Sequence, residues 1–198
     1  TPNIDKLAKE GMLFRKCYVT NALCGPSRAT VLTGKYGHLN GVTWNKKARF
    51  DGSQQIFPKL MRDHGYETAL IGKWHLGRVN GSHPNDQGFD DSLLMEGGLY
   101  LPENDESVVN AKFDNPVDNM VWAGSQYSAS FNKGNTFTPD GYLTDYYTDE
   151  AIKVIMSNKN RPFFLYLAHW AVHNPLQALK KDIDIFHHHL TPHNLQIY

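Results

Sequence analysis

Apolar and polar positions along the chain fall into blocks that predict helices and strands in turn. Ile4, Leu7 and Ala8 follow Thr1-Pro2-Asn3, which predicts a short capped helix closed by Gly11. Residues 12–19 read as a strand. Cys24-Gly25-Pro26-Ser27-Arg28 reads as a turn, with Pro26 suited to the first helical position and Gly34 to the stop after 29–33. Residues 37–53, rich in Gly, Asn, Lys and Trp, read as loop. Ile56, Phe57, Leu60 and Met61 share one face of a helix over 54–64, which Gly65 ends. Residues 67–71 form a short strand, and Gly72 opens a turn.

Residues 78–140 have weak periodicity, with Gly97-Gly98, Pro102, Pro116 and Pro139 as breaks. Such a stretch predicts excursions and short strands around a site, or a mobile insert. Tyr142, Tyr146, Ile152 and Ile155 recur at near-helical spacing and predict a helix over 142–158, with Arg161-Pro162 as its exit. Phe163–Ala168 is a continuous apolar run, the signature of a strand buried on both faces. A last helix is expected over about 179–190. Helices alternating with buried strands predict an α/β fold, a mostly parallel sheet sandwiched by helices.

Composition narrows the classes. Twenty Lys and Arg balance twenty Asp and Glu, giving zero net charge. That argues against nucleic acid as a partner, because a phosphate-backbone binder is basic. The longest apolar stretch, from Pro162 to Ala168, is too short for a membrane span. Two cysteines, Cys17 and Cys24, make no disulfide framework. Cys17, inside the expected strand, reads as core.

Three polar segments follow expected strands, where open α/β sheets bind ligands. They are Cys24-Gly25-Pro26-Ser27-Arg28-Ala29-Thr30-Val31-Leu32-Thr33-Gly34-Lys35, then Gly72-Lys73-Trp74-His75-Leu76-Gly77, then His169-Trp170-Ala171-Val172-His173-Asn174-Pro175-Leu176-Gln177. Cys24 sits before a helix N-terminus, where free N–H groups and the dipole favour anions. Arg28 lies one turn along and adds a fork of donors. Lys73, His75 and His173 add a cation and two groups that titrate near neutral pH. Residue types alone leave a plainer alternative open: a small buried cysteine, solvated cations and satisfied loop histidines.

The first segment resembles the type I sulfatase signature, Cys-x-Pro-Ser-Arg followed by Leu-Thr-Gly-Lys. The second is similar to that family's Gly-Lys-Trp-His-Leu-Gly, and the third to the His-x-Pro-Leu-Gln of members acting on sugars. Thr1-Pro2-Asn3-Ile4-Asp5 and Gly88-Phe89-Asp90 fit the family too. The resemblance implies an alkaline-phosphatase-like fold and hydrolysis of a sulfuric ester, on a sulfated carbohydrate or aryl sulfate. It implies that Cys24 is oxidised to formylglycine by a formylglycine-generating enzyme. A hydrated aldehyde offers one hydroxyl to attack sulfur and a second whose proton loss expels sulfate. It also implies roles: Arg28 orients the hydrate, Lys73 binds a sulfate oxygen, His75 is a candidate base and His173 donates toward the leaving oxygen. Gln177 lies where sugar-directed members present a polar residue. Ser27 and Thr30 support the turn and the maturing enzyme's recognition.

The family holds one divalent ion, usually Ca²⁺, through hard oxygen ligands. Only Cys24, as formylglycine, matches that shell here. Asp90-Asp91 is no substitute. An Asp pair is expected before Thr1 and an Asp-Asn-Gly segment after Tyr198, so residues 1–198 read as a partial N-terminal catalytic domain, inactive alone. A periplasmic, extracellular or lysosomal location comes from the resemblance only; there is no signal peptide in the sequence. Other readings are a phosphonate or phosphodiester hydrolase, a non-catalytic binder of sulfated glycans, and a thiol hydrolase using Cys24. His187-His188-His189 reads as a solvated helix face rather than a metal site. Asn80-Gly81-Ser82 is a lone sequon of little weight. Trp44, Trp122 and Trp170 suit sugar stacking about as well as core packing or loop anchoring.

Overall fold

A computed structural model describes residues 1–79 and 81–186. Seven helices and seven strands occur among them: α1 (Pro2–Glu10), α2 (Cys24–Thr33), α3 (Gly37–Asn40), α4 (Phe57–Asp63), β1 (Glu67–Gly72), β2 (Asp91–Met95), β3 (Val108–Ala111), α5 (Pro116–Gly124), β4 (Ala129–Phe131), β5 (Thr136–Phe137), α6 (Leu143–Asn158), β6 (Phe163–Ala168), β7 (Leu176–Leu179) and α7 (Lys180–Phe186). The main sheet has the order β5-β4-β2-β1-β6. β1 runs parallel to both β2 and β6, while β4 and β5 add an antiparallel edge. β3 and β7 form a separate antiparallel pair.

Side-chain alternation along the two central strands builds two cores. Leu70 and Leu94 point to one face, where Ala29 and Leu32 of α2, Ile56, Trp74 and Phe89 pack. Ile71 and Leu93 point to the other, against Leu143, Tyr147 and Ala151 of α6. Successive strand residues face opposite sides, so packing on both faces keeps the run from Ala69 to Gly72 and from Leu93 to Met95 without a polar side chain, after the polar starts Glu67-Thr68 and Asp91-Ser92. This is the helix-sheet-helix sandwich the sequence predicts.

Gly-Phe-Asp works as a clasp within it. Phe89 is in the core, and the Asp90 carboxylate accepts hydrogen bonds from the Thr68 N–H at 2.9 Å and the Thr68 hydroxyl at 2.8 Å. That fastens β1 to the segment entering β2.

Several expectations change. Residues 12–19 form no strand and are exposed throughout, Cys17 included; no ladder neighbour reaches them among the described residues, so Cys17 is not core. β6 is only half-buried along most of its length, with Leu167 37% exposed. Its single ladder partner in the described sheet is β1, so it is an edge and not a strand covered on both faces. The turn expected at Cys24 is already helix, and residues 37–53 hold the short α3 and a 3₁₀ turn at Asn45–Lys47. The last helix is observed as far as Phe186. The three adjacent histidines and Asn80 lie outside the described residues. Trp44 is exposed, and Trp122 is buried beneath the Lys112 ammonium.

Candidate active site

α2 begins at Cys24 because Leu23 is extended (φ −118°, ψ 144°) and its carbonyl accepts the Ser27 N–H at 2.9 Å. The Gly25 N–H goes to the Asn45 side-chain oxygen at 3.0 Å, and Pro26 has no N–H to satisfy. Gly34 ends the helix in the left-handed conformation. Cys24 is half-buried at the positive end of a ten-residue helix.

The Gly72-Lys73-Trp74-His75-Leu76-Gly77 segment divides its labour by residue. Trp74 and Leu76 are fully buried. The Trp74 indole N–H donates to the carbonyls of Gly77 at 2.8 Å and Ser82 at 3.0 Å, so its polar end is satisfied. His75 between them adopts φ 62°. That left-handed conformation costs roughly 1–2 kcal/mol in a residue with a Cβ. It lets both neighbours point into the core while Lys73 and His75 face a cavity.

Two cavities meet at Cys24. One, about 460 Å³, is lined by Arg28, Tyr166 and His169 among others; the second, about 570 Å³, by His75, Asn45, Arg78 and Glu96. Cys24, Lys73, Trp170 and His173 line both. All five side chains singled out in the sequence therefore come to one place. Arg28 donates to the Lys73 carbonyl at 2.9 Å and reaches the Tyr166 hydroxyl at 3.4 Å. The Lys73 N–H donates to the Ala168 carbonyl at 2.8 Å, tying the ends of β1 and β6 together. The Lys73 ammonium lies 4.2 Å from the centre of the Trp170 ring, and the His173 imidazole stacks on the same indole at 3.9 Å.

The electrostatics follow from crowding cations into a half-buried space. Burial pulls Lys73 below the ordinary lysine range; the Cys24 sulfur opposes this and Arg28 adds to it. Burial also lowers His75, with Lys73, Arg28 and His173 reinforcing. His173 is lowered by burial too, against a hydrogen bond to the Asn174 carbonyl at 2.8 Å. Both imidazoles are thus biased toward their neutral forms, and His75 Nδ1 is buried with no partner among the described residues.

Gln177 is taken up by structure. Its side-chain oxygen accepts from the Tyr100 N–H at 2.7 Å and the Leu101 N–H at 3.3 Å, while its amide donates to Asn110 at 2.7 Å. A sugar has no free edge of it to read. Conversely, sequence reasoning assigned no role to Tyr166, His169, Arg78, Glu96 or Asn45. Tyr166 and His169 sit at the carboxyl end of β6, the one place where a strand-end rule could have found them.

For the implied metal, the two linings hold one carboxylate, Glu96, and it pairs with Arg78 and accepts from the Ser130 hydroxyl. No group of three or more His, Cys, Asp or Glu side chains is placed to hold a metal ion among the described residues. The residues present do not by themselves fit a calcium site, and no step below passes through one.

A parallel-stranded sandwich thus carries a cysteine at a helix N-terminus, ringed by Lys, Arg and His. Residues 1–189 match the family model described as Sulfatase, and the chain belongs to that family. It is 36% identical over 200 residues to an N-acetylglucosamine-6-O-sulfatase of Bacteroides thetaiotaomicron, covering 100% of this chain and 31% of that protein. It is 35% identical over 193 residues to the N-acetylgalactosamine-6-sulfatase of Homo sapiens, covering 91% of this chain and 36% of that protein. Ps i-CgsB, solved in complex with k-i-k-neocarrahexaose, superposes with TM-score 0.78 at 32% identity, over 97% of this chain and 44% of that one. BT4656, solved with its substrate D-glucosamine-2-N,6-O-disulfate, superposes with TM-score 0.68 at 36% identity, over 97% and 33%. The chain spans about a third of the length of the curated relatives it matches. No described helix is long and apolar enough to cross a membrane.

Proposed function

We propose that this chain carries the nucleophile-bearing part of a sulfuric ester hydrolase acting on a sulfated carbohydrate. The observation that carries the reading is the convergence of Cys24, Lys73, Trp170 and His173 on both cavities. Position 24 fits a formylglycine: it is half-exposed, at a helix N-terminus, with two cationic side chains beside it. Oxidised and hydrated, that side chain presents one hydroxyl that attacks sulfur as the ester S–O bond breaks, and a second whose deprotonation breaks the C–O bond to sulfate and restores the aldehyde.

The chain's own residues do the rest. Lys73 donates to a non-bridging sulfate oxygen. Arg28, held by the Lys73 carbonyl, keeps the helix end and the turn after β1 in register and adds positive charge. His173, when protonated on both ring nitrogens, gives its Nε2 proton to the departing alcohol oxygen while Nδ1–H stays on the Asn174 carbonyl, a contribution typically worth about 10²–10⁴-fold. His75, biased to neutrality, takes the proton of the second hydroxyl. Calcium remains part of the reading only with oxygen ligands from outside the described residues, and Cys24, as formylglycine, as its contact here. A non-cytosolic compartment rests on the resemblance alone.

The relatives' names are the reason to try 6-O-sulfated amino sugars first. The test takes the full-length parent protein, co-expressed with a formylglycine-generating enzyme. N-acetylglucosamine 6-sulfate, N-acetylgalactosamine 6-sulfate, 4-nitrophenyl sulfate and a nitrophenyl phosphodiester are offered in parallel. Sulfate release that disappears in Cys24→Ala, with an aldehyde in place of the thiol in the Cys24 peptide, is the expected result. An unmodified thiol with no sulfate released would refute it, and preferential phosphodiester cleavage would favour the superfamily alternative.

A further inference from the structure

We propose that Trp170 is a positioning residue of this site: its indole holds the Lys73 ammonium and the His173 imidazole in place as neighbouring donors. The inference rests on the hydrolase reading and concerns a residue to which neither motif nor resemblance gives a role.

Three observations support it. The Lys73 ammonium lies 4.2 Å from the Trp170 ring centre. The His173 imidazole lies 3.9 Å from it, the planes inclined by 30°. The indole itself is fixed, because its N–H donates to the Gly98 carbonyl at 2.8 Å. One anchored ring therefore touches both a sulfate-binding cation and the proposed proton donor. Lys73 needs such a partner. It is 8% exposed, Arg28 lies close by, and no carboxylate pairs with it among the described residues. Beside the Cys24 sulfur, the negative face of the indole is an attractive surface for it, and one that adds no carboxylate to compete with sulfate for the ammonium. For His173, stacking fixes the ring plane, while the Nδ1 contact to the Asn174 carbonyl fixes which edge points outward. Nε2 is left to meet a leaving oxygen. Gly98 belongs to the irregular stretch before β3, so the indole also couples the site to that segment.

The role predicts a pattern that a merely structural tryptophan would not give. In the matured full-length protein, Trp170→Leu removes the π face and the anchor; Trp170→Phe keeps a π face. Inorganic sulfate, titrated by calorimetry, should bind about 2–30-fold more weakly to Trp170→Leu, and less weakly to Trp170→Phe. Turnover of N-acetylglucosamine 6-sulfate, whose alcohol leaves poorly, should fall at least about tenfold more than turnover of 4-nitrophenyl sulfate, which needs little acid help. Should Trp170→Leu fail to fold, Trp170→Met supplies the apolar comparison with Trp170→Phe. Equal losses on the two esters, or sulfate affinity the same in the Phe and the Leu or Met variants, would overturn the positioning role. A wild-type protein inert toward both esters, in which the variants still change sulfate affinity as described, would sink the hydrolase reading and leave the role of Trp170 standing.

Discussion

Gly72 is where a single methyl group should do most harm. It closes β1 at φ 106°, and a Cβ built there would overlap the carbonyl of Ala168 on the neighbouring strand. Two costs follow for Gly72→Ala. The left-handed backbone costs about 1–2 kcal/mol in a residue with a Cβ. Relief of the overlap must move backbone, at about 1–3 kcal/mol. The sum is about 2–5 kcal/mol. Gly34 supplies the control, since it too is left-handed (φ 66°) but has nothing within 4 Å of a built Cβ. Gly34→Ala should therefore lose only the first cost, about 1–2 kcal/mol. Urea unfolding of the parent protein measures both, followed by tryptophan fluorescence because Trp74 and Trp170 flank the site. Gly72→Ala should also lose activity out of proportion, since the displaced bond from the Lys73 N–H to Ala168 is the next one along. Equal destabilisation by the two substitutions would refute the overlap argument.

Other outcomes are open to test. Lys73→Ala should lower kcat/KM for the preferred sulfate ester by about 10²–10³-fold, measured by steady-state kinetics; Lys73→Arg, with a broader head in a space shared with Arg28, should not restore it. Gln177→Leu should destabilise by about 2–4 kcal/mol through orphaned backbone N–H groups at Tyr100 and Leu101, with KM for sugar sulfates unchanged; a large KM effect in a stable variant would return Gln177 to the substrate. His75, His169 and His173 are all held by burial below the ordinary imidazole value. The unfolded chain thus binds more protons than the folded one below about pH 6.5. Their contribution is complete above that value and is lost as pH falls toward the depressed folded values, so the urea midpoint should drop from about pH 7.5 to about pH 5.5. His169→Gln should flatten that slope.

The chemistry was more legible than the architecture because motif residues are tied to each other by spacing. Cys24 and Arg28 lie one helical turn apart, and Lys73 and His75 bracket a core tryptophan, so side-chain type at fixed intervals already states the arrangement. Strand status is different, because it depends on neighbours that a sequence does not name. Residues 12–19 have the right composition and no ladder partner among the described residues; Phe163–Ala168 is apolar enough for a central strand and stands at an edge. Trp170 was ambiguous for a related reason: stacking on sugar, packing in a core and holding a lysine all call for the same side chain, and only three-dimensional distance separates them. Gln177 looked available because its motif position is polar; its hydrogen bonds to residues some seventy-five positions away were invisible in one dimension.

The parallel pairing of β1 with β6 has one more consequence. Ile71 is opposite Leu167 and Gly72 opposite Ala168; the residues that follow, Lys73 on one strand and Trp170 with His173 on the other, are delivered by that alignment. Slippage of β6 by one place would turn its side chains to the opposite surface and carry the indole away from the ammonium. A molecule whose sheet assembled out of step would thus lose the contact of Lys73 and His173 with one indole, so that contact reports on the alignment of the two strands.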